Sequence, residues 1–293
     1  MQHQTAGKIR IVALDLDGTL LDSEKRLSPR NRAALERIAA RGVLVVPTTG
    51  RFFGMMPEVV RDLPFVRYAI TINGAQVYDR ESGEAIVREE MPVDEAVRIM
   101  ETLDDFDVIY DCYRNNWGWM TAALQAKAAE YVPDEHYLKV VREFRRPVPE
   151  LKAHLRETAA EGGVQKVMLF SRNDDPSATA LAAIRREVAE RFPSIRVTAS
   201  TWNDLELNSN AATKGNSLKR FAEHLGLALA NCVSFGDGLN DLSMIEAAGI
   251  GVAMANAMPE VTAAANRVTL SNDEDGVAAA LEAMEAEGAF DGP

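Results

Sequence analysis

The stretch that decides the fold is Val12–Leu21, VALDLDGTLL. It places an apolar run directly before two aspartates, Asp15 and Asp17, and a glycine, Gly18. A short apolar run that ends in a polar turn is typical of a buried strand of a parallel sheet. Ligands of such sheets bind outside the carboxyl ends of the strands, so we expect both acids at a functional rim.

Helix and strand patterns alternate around this stretch. Ser28 is a good N-cap, Pro29 suits a first helical turn, and Gly42 suits the end of that helix. The apolar runs predict, in order, a strand at Ile9–Leu14, a strand at Val43–Val46, a helix at Phe52–Leu63 and a strand at Ala69–Ile72. This alternation predicts right-handed βαβ units and a parallel sheet.

The pattern changes after Asn73-Gly74, where AQVYD and EAIVREEM flank the turn RESG and predict a β-hairpin. The elements predicted beyond it are strands at Val108–Cys112, Gln165–Phe170 and Ile195–Thr198, and helices at Val93–Leu103, Pro149–Ala160 and Pro176–Arg191. The first pattern then resumes with helices at Lys214–Leu225 and Leu239–Ala247. We therefore predict an α/β fold. Its Rossmann-like core, a parallel sheet flanked by helices, comprises residues 1–84 and 205–293, and an inserted α+β cap domain comprises residues 85–204.

Composition limits the classes of function. The 293 residues carry a formal net charge of −12, so nucleic acid is not expected as a partner, and an anionic metabolite would need local cations or a metal ion. No apolar stretch has the length of a membrane span, and the N-terminus lacks the apolar segment of a secretory signal. Cys112 and Cys232 match no metal or redox spacing and are interpreted as buried, reduced thiols. These features predict a cytoplasmic protein without a membrane partner.

Four polar clusters follow four predicted core strands. They are Asp15/Asp17, Thr49-Gly50-Arg51, Asn73-Gly74, and Gly236-Asp237 through Asn240-Asp241. Because the carboxyl ends of parallel strands meet at one edge of the sheet, residues far apart in the chain are expected to share that edge.

At this point the chain resembles the haloacid dehalogenase (HAD) superfamily, and within it the Cof-type phosphatases with a large cap of type C2. The resemblance is carried, in the family's order, by DLDGTLL, TTGR, TINGAQVYD, ATKG, FGDGLNDLSMI and GVAMANA. One DxDG motif is weak evidence, whereas six elements in order around an insertion of suitable size are strong evidence. The resemblance implies phosphoryl transfer that requires Mg²⁺.

The resemblance also implies roles for individual residues. Asp15 would be the nucleophile and form an aspartyl-phosphate, Asp17 would be the general acid and base, and Lys214 would neutralise charge. The residues expected to bind the substrate are Thr49, Gly50, Arg51, Asn73 and Asn240. The residues expected at the metal are Asp15, Asp17 through its main-chain carbonyl, Asp237 and Asp241, the last orienting the metal's surroundings.

Elementary chemistry is consistent with these roles. A carboxylate that approaches a phosphate dianion is repelled unless a cation lies between them, and a hard oxygen site suits Mg²⁺. Asp15 and Asp17 can coexist if a metal screens the first and the second works in its protonated form. Gly18 is expected to leave room for backbone N–H groups beside the phosphoryl oxygens. The spacing of Asp237 and Asp241 would place both carboxylates on one face of a helix start.

Several motifs have simpler interpretations when taken alone. Asp15 and Asp17 could be ordinary capping carboxylates, and Lys214 could be a solvated lysine of a first helical turn. An EF-hand loop is disfavoured because Leu20 stands where that motif needs glycine. Residues 273–275, Asp-Glu-Asp, are interpreted as acids that favour the dipole of the last helix. Asn256 is interpreted as structural, with a role in the site left open.

Three functions are compatible with the sequence. The first is a Mg²⁺-dependent phosphatase of small phosphomonoesters, with sugar phosphates or a cofactor phosphate such as pyridoxal phosphate suggested by the resemblance. The second is a sugar phosphomutase or phosphotransferase, which the core motifs do not separate from a phosphatase. The third is a HAD-like regulator that binds a metabolite without catalysis. We expect a monomer or weak homodimer.

Overall fold

A computed structural model describes residues 8–174 and 179–291. The strands are β1 Ile11–Leu14, β2 Leu44–Pro47, β3 Tyr68–Thr71, β4 Gln76–Asp79, β5 Glu84–Arg88, β6 Val108–Arg114, β7 Trp117–Thr121, β8 Arg145–Val148, β9 Lys166–Ser171, β10 Ile195–Thr198, β11 Asp204–Ser209, β12 Cys232–Gly236, β13 Ile250–Ala253 and β14 Arg267–Val268. The α-helices are α1 Pro29–Ala40, α2 Glu58–Arg61, α3 Val93–Leu103, α4 Ala122–Gln125, α5 Glu135–Phe144, α6 Leu151–Glu157, α7 Thr179–Arg191, α8 Lys214–His224, α9 Leu242–Ala247, α10 Pro259–Ala264 and α11 Gly276–Ala286. Among the described residues, no helix combines the length and apolar character needed to cross a membrane. The first residues of the helix predicted at Pro176–Arg191 lie outside the described residues.

The described residues form two compact units, and the first comprises residues 8–88 and 212–291. Its five-stranded sheet has the order β14-β13-β12-β1-β2, and every pairing in it is parallel. All four residues of β1 are buried, as expected for a strand covered on both faces. Leu14 lies opposite both Phe235 and Pro47, so the residues that follow β1, β2 and β12 lie at one edge. The prediction of an α/β core with a parallel sheet is confirmed.

The strand before Asn73 does not belong to this five-stranded sheet. It forms a separate antiparallel sheet of order β3-β4-β5, in which β4 and β5 are the predicted hairpin. A single parallel bridge between Thr48 and Ile70 joins β3 to the residue after β2. The loop after β3 therefore still reaches the edge where the other polar clusters lie.

The single helix predicted at Phe52–Leu63 is wrong. The structure has a short 3₁₀ turn at Phe53–Met55 and one α-helical turn, α2. Pro57 separates them because proline lacks an N–H and disfavours a helical conformation in the residue before it. Met56 accordingly has an extended backbone, with ψ of 145°.

The second unit comprises residues 89–211. Its six-stranded sheet has the order β10-β11-β9-β6-β7-β8 and is antiparallel except for the β7–β8 pair. Residues of α3, α6 and α7 form an apolar core with alternate residues of the strands. Other strand residues of the unit form buried ion pairs, Arg145 with Asp111 at 2.8 Å and Lys166 with Glu206 at 3.0 Å.

The limits of the two units differ from those set from the sequence at 84/85 and 204/205. They fall at 88/89 and 211/212. β5 pairs with β4 and therefore belongs to the first unit. β11 pairs with β9 and β10, which places it inside the second unit. Apolar patterning finds strands but does not show which sheet they join.

Candidate active site

The centre of the site is a buried ion-pair cluster around Lys214. Lys214 is the first residue of α8, whose N-cap Thr213 accepts a hydrogen bond from the N–H of Asn216. The Lys214 ammonium is 0% exposed and lies 2.6 Å from Asp15 Oδ1 and 2.5 Å from Asp241 Oδ1. The interpretation of Lys214 as a solvated lysine is therefore wrong, because the side chain is buried between two carboxylates.

Asp237 completes a group of three carboxylates with Asp15 and Asp241. One oxygen from each lies within 4.8 Å of the others. Asp237 Oδ1 accepts a hydrogen bond from Thr19 Oγ1 at 2.7 Å, which fixes its orientation. Gly18 has a φ of +84°, and a Cβ there would lie 2.5 Å from Asp237 Oδ2. Glycine is thus required beside the Asp237 carboxylate, a role different from the predicted room for backbone N–H groups.

Asp237 and Asp241 come together for a different reason from the one expected. Asp237 lies outside the helix, because α9 begins after Asp241. Asp241 Oδ2 instead accepts hydrogen bonds from the backbone N–H groups of Asp237 and Gly238, at 3.0 and 2.9 Å. The turn is therefore closed by the side chain of Asp241, which leaves its other oxygen for Lys214.

The electrostatics of the cluster favour an added cation. Burial, Asp241 and Asp237 raise the pKa of Asp15 and Lys214 lowers it, and together they leave the pKa at about 8. Burial is also the main cause of the raised pKa of Asp237. The pKa of Lys214 is raised despite its burial, because Asp15 and Asp241 flank it. One ammonium lies among three carboxylates, so the fully ionised cluster would leave two negative charges for protons or a bound cation to compensate.

The same donor set fits a magnesium ion. Carboxylate oxygens are the ligands that this hard cation prefers, and the ion commonly binds through one or two of them. Asp15 and Asp237 are the candidates, because Asp241 directs its oxygens to Lys214 and to backbone N–H groups. The side chain of Asp17 is not part of the three-carboxylate group, so a contribution from Asp17 would come from its main chain.

Asp17 points to a different set of partners. Its Oδ2 lies 2.8 Å from Arg51 Nη2, and its Oδ1 lies 2.8 Å from Lys25 Nζ. Partial burial alone would raise the pKa of Asp17, but Arg51 and Lys25 together hold it below its usual value. These ion pairs favour the ionised carboxylate of Asp17, whereas the role expected for it from the sequence needs the protonated form.

Four of the five residues predicted to bind substrate, Thr49, Gly50, Arg51 and Asn73, lie on two adjoining loops. The N–H of Asn73 donates to the carbonyl of Thr49, at 3.1 Å, and Thr49 Oγ1 accepts from the N–H of Arg51. A Cβ on Gly50 would lie 2.8 Å from Asn73 Oδ1, so the loops contact closely. Thr49 and Asn73 are buried, while Asn240 is exposed beside Gly238.

The loop after β3 also contacts the start of α8. A Cβ on Gly74 would lie 2.3 Å from the carbonyl oxygen of Thr213, and Ser217 Oγ donates to the carbonyl of Gly74. Every predicted cluster is thus connected to the next through contacts at one edge of the first unit. The roles of Thr19 and Lys25 were not found from the sequence: Thr19 lies within DLDGTLL but was assigned no contact, and Lys25 lies outside every motif.

Comparisons with known proteins show which family and which solved structures the chain resembles. A family model for haloacid dehalogenase-like hydrolases matches residues 12–281. The phosphatase YwpJ of Bacillus subtilis is 31% identical over 291 residues, covering 92% of this chain and 98% of that protein. The pyridoxal phosphate phosphatase YbhA of Escherichia coli is 29% identical over 269 residues, covering 92% and 96%. The crystal structure of a haloacid dehalogenase-like hydrolase from Bacteroides thetaiotaomicron superposes with a TM-score of 0.78, at 30% identity, covering 94% of this chain and all of that one.

Proposed function

The chain belongs to the haloacid dehalogenase-like hydrolase family, and we propose that it is a magnesium-dependent phosphatase of small phosphomonoesters. The observation that carries the proposal is the buried Lys214 ammonium between Asp15 and Asp241, with Asp237 beside them. A buried cluster with excess negative charge is costly to the fold, so a functional role is the better explanation of its presence.

Asp15 is proposed as the nucleophile. Its carboxylate follows β1 directly, and its N–H donates to the carbonyl of Phe235, which holds its backbone in place. Attack by a carboxylate on phosphorus divides one difficult displacement into two steps, with an aspartyl-phosphate between them. Lys214 holds Asp15 in place and offsets charge as the phosphoryl group arrives. A bound Mg²⁺ would supply further charge neutralisation between Asp15 and the phosphoryl oxygens.

Asp17 is proposed to protonate the leaving alkoxide and then to deprotonate the attacking water. Because Arg51 and Lys25 hold it ionised in this structure, proton donation requires Asp17 first to take up a proton from solvent on Oδ2, as the ion pair of Oδ2 with Arg51 weakens on substrate binding, while Oδ1 still accepts from Lys25. A phosphoryl group bound next to Arg51 would compete with Asp17 for the guanidinium. A carboxylate and a phosphoryl group each present a pair of anionic oxygens that an arginine can bind. Substrate binding would thus favour protonation of Asp17.

The proposed substrates are small phosphorylated metabolites. One relative carries the name of pyridoxal phosphate phosphatase, so a cofactor phosphate and sugar phosphates head the panel to be tested. Thr49, Gly50, Arg51, Asn73 and Asn240 remain the proposed contacts of the substrate.

The test is release of inorganic phosphate from a panel of phosphorylated metabolites, with Mg²⁺ and with a chelator. We expect release that depends on Mg²⁺ and that Asp15→Asn abolishes while circular dichroism stays unchanged. A mutase would yield an isomer of the substrate with little free phosphate, so product analysis separates that alternative. Release that persists in chelator, or in the Asp15→Asn variant, would refute the proposal.

A further inference from the structure

We infer that Lys25 is a positioning residue for Asp17, and that the C-terminal segment around Asp273 holds it in place. The inference rests on the proposed function, because it concerns the proposed proton donor. Lys25 lies eight residues after Asp17, in a turn that follows the VALDLDGTLL stretch and has no role in the proposed chemistry.

Two cations hold the carboxylate of Asp17. Each oxygen of the carboxylate contacts a different cation, Oδ1 the ammonium of Lys25 and Oδ2 the guanidinium of Arg51, both at 2.8 Å. Two contacts on opposite oxygens fix the rotation of the carboxylate plane, which one contact would leave free. When a bound phosphoryl group competes for Arg51, Lys25 is the contact that still directs Asp17.

Hydrogen bonds within the turn fix the position of Lys25. Asp22 Oδ1 accepts from the N–H groups of Glu24 and Arg26, at 2.9 and 2.8 Å, and the N–H of Lys25 donates to the carbonyl of Asp22. Lys25 itself has a φ of +62°. A lysine rarely adopts this left-handed conformation, in which glycine and asparagine are favoured, so the local fold accepts a cost to place an ammonium here.

The far end of the chain anchors this turn. Asp273 accepts from both the N–H and the hydroxyl of Ser23, at 2.8 and 2.7 Å across 250 residues of sequence. Asn272 Nδ2 donates to the carbonyl of Leu21 at 3.0 Å. Asp273 was interpreted from the sequence as an acid that favours the dipole of the last helix. Its two bonds to Ser23 give it a second function, which is to fix the turn from which Lys25 reaches Asp17.

Loss of the Lys25 contact should slow some substrates more than others. A misdirected proton donor matters most when the leaving group needs protonation, and least when the leaving group is already a good one. Loss of Lys25 should therefore lower kcat about tenfold for an alkyl phosphate, and less than about twofold for p-nitrophenyl phosphate. A merely structural defect would lower both rates by the same factor.

The experiment compares Lys25→Asn with wild type on these two substrates in the presence of Mg²⁺. Asparagine removes the ammonium yet tolerates the left-handed backbone, so the turn should be retained. Lys25→Arg should recover most of the alkyl phosphate activity, because it restores a cation. Lys219→Gln is the matched control, since Lys219 is an equally exposed lysine that pairs with Glu223 on α8, and it should leave both rates unchanged.

Two further variants complete the test. Asp17→Asn should show the same dependence on the leaving group, more strongly, and Asp273→Ala should show it more weakly. Failure of wild type to release phosphate with Mg²⁺ would refute the proposed function itself. Normal wild-type activity and a leaving-group effect in Asp17→Asn, with equal losses or none in Lys25→Asn, would refute only the role of Lys25. Behaviour of Lys25→Arg identical to that of Lys25→Asn would also overturn it.

Discussion

Replacing Asp237 with asparagine should make the metal-free protein more stable while destroying its response to Mg²⁺. Asp237 Oδ1 accepts from Thr19 Oγ1, and an asparagine amide oxygen can accept the same bond. The substitution therefore removes a charge and little else. In the metal-free state that charge is unfavourable, because burial and Asp241 raise the pKa of Asp237, whereas Thr19 and Lys214 lower it without offsetting them.

The magnitude follows from the geometry. Two unit charges 4.8 Å apart repel by about 3.5 kcal/mol at an effective dielectric constant of about 20. Lys214 offsets the repulsion from one of the two neighbouring carboxylates, and partial exposure of Asp237 screens the other, which leaves about 1–2 kcal/mol. A carboxyl group whose pKa is raised by folding destabilises the protein increasingly as the pH rises from its pKa in the unfolded chain to its pKa in the folded one. The stability gained by Asp237→Asn should therefore be present at pH 7 and fade in acid, where Asp237 is protonated in both states.

Thermal unfolding in chelator and in excess Mg²⁺ measures both effects. In chelator, Asp237→Asn should unfold about 2–8 °C above wild type. Mg²⁺ at about one hundred times its dissociation constant should stabilise wild type by about 2.7 kcal/mol and the variant by far less. Glu246→Gln, the same charge change at an exposed position of α9, is the control and should behave as wild type. A destabilised Asp237→Asn protein, or one that Mg²⁺ stabilises as much as wild type, would refute the reasoning.

Three other perturbations have distinct expected outcomes. Gly18→Ala should lower the free energy of unfolding by about 1–3 kcal/mol and reduce turnover with Mg²⁺, since its Cβ would contact the Asp237 carboxylate and its φ is positive; unchanged melting and turnover would contradict this. Arg145→Met should destabilise the second unit by about 3–5 kcal/mol in denaturant titration, because Asp111 would be left buried without its ion pair; a loss below about 1 kcal/mol would contradict it. Cys112 and Cys232 should resist iodoacetamide in the native protein at pH 8 and react in denaturant, because burial raises the pKa of both thiols, that of Cys232 to about 12; native labelling measured by mass spectrometry would contradict it.

The topology of the sheet explains which site residues could be predicted from the sequence. Asp15 and Asp237 could be placed together because each follows a strand at one edge of a parallel sheet, whereas Lys214 was placed with them only by the resemblance to the family. Backbone topology alone brings such residues together, and apolar patterning reveals that topology. The contact of Lys25 with Asp17 could not be found this way, since it depends on the shape of an irregular turn.

Two kinds of feature were harder to predict from the sequence: hydrogen bonds between distant loops and interruptions of a helical pattern. The bonds from Ser23 to Asp273 join two loops separated by 250 residues, and neither loop has a periodic pattern. In the predicted helix at Phe52–Leu63, the apolar spacing was right for a helix but Pro57 outweighed it. The convergence of Asp237 and Asp241 was expected from helical spacing and arises from side-chain hydrogen bonds to a turn.

The most direct measurement is chemical trapping of the phosphorylated residue. During turnover with Mg²⁺, borohydride reduces an aspartyl-phosphate to homoserine, which mass spectrometry locates in the tryptic peptide spanning residues 11–25. We expect homoserine at position 15 and an unmodified Asp17, with no modification in chelator. Homoserine at Asp17, or rapid phosphate release with Asp15 never modified, would contradict the assignment of Asp15 as the nucleophile.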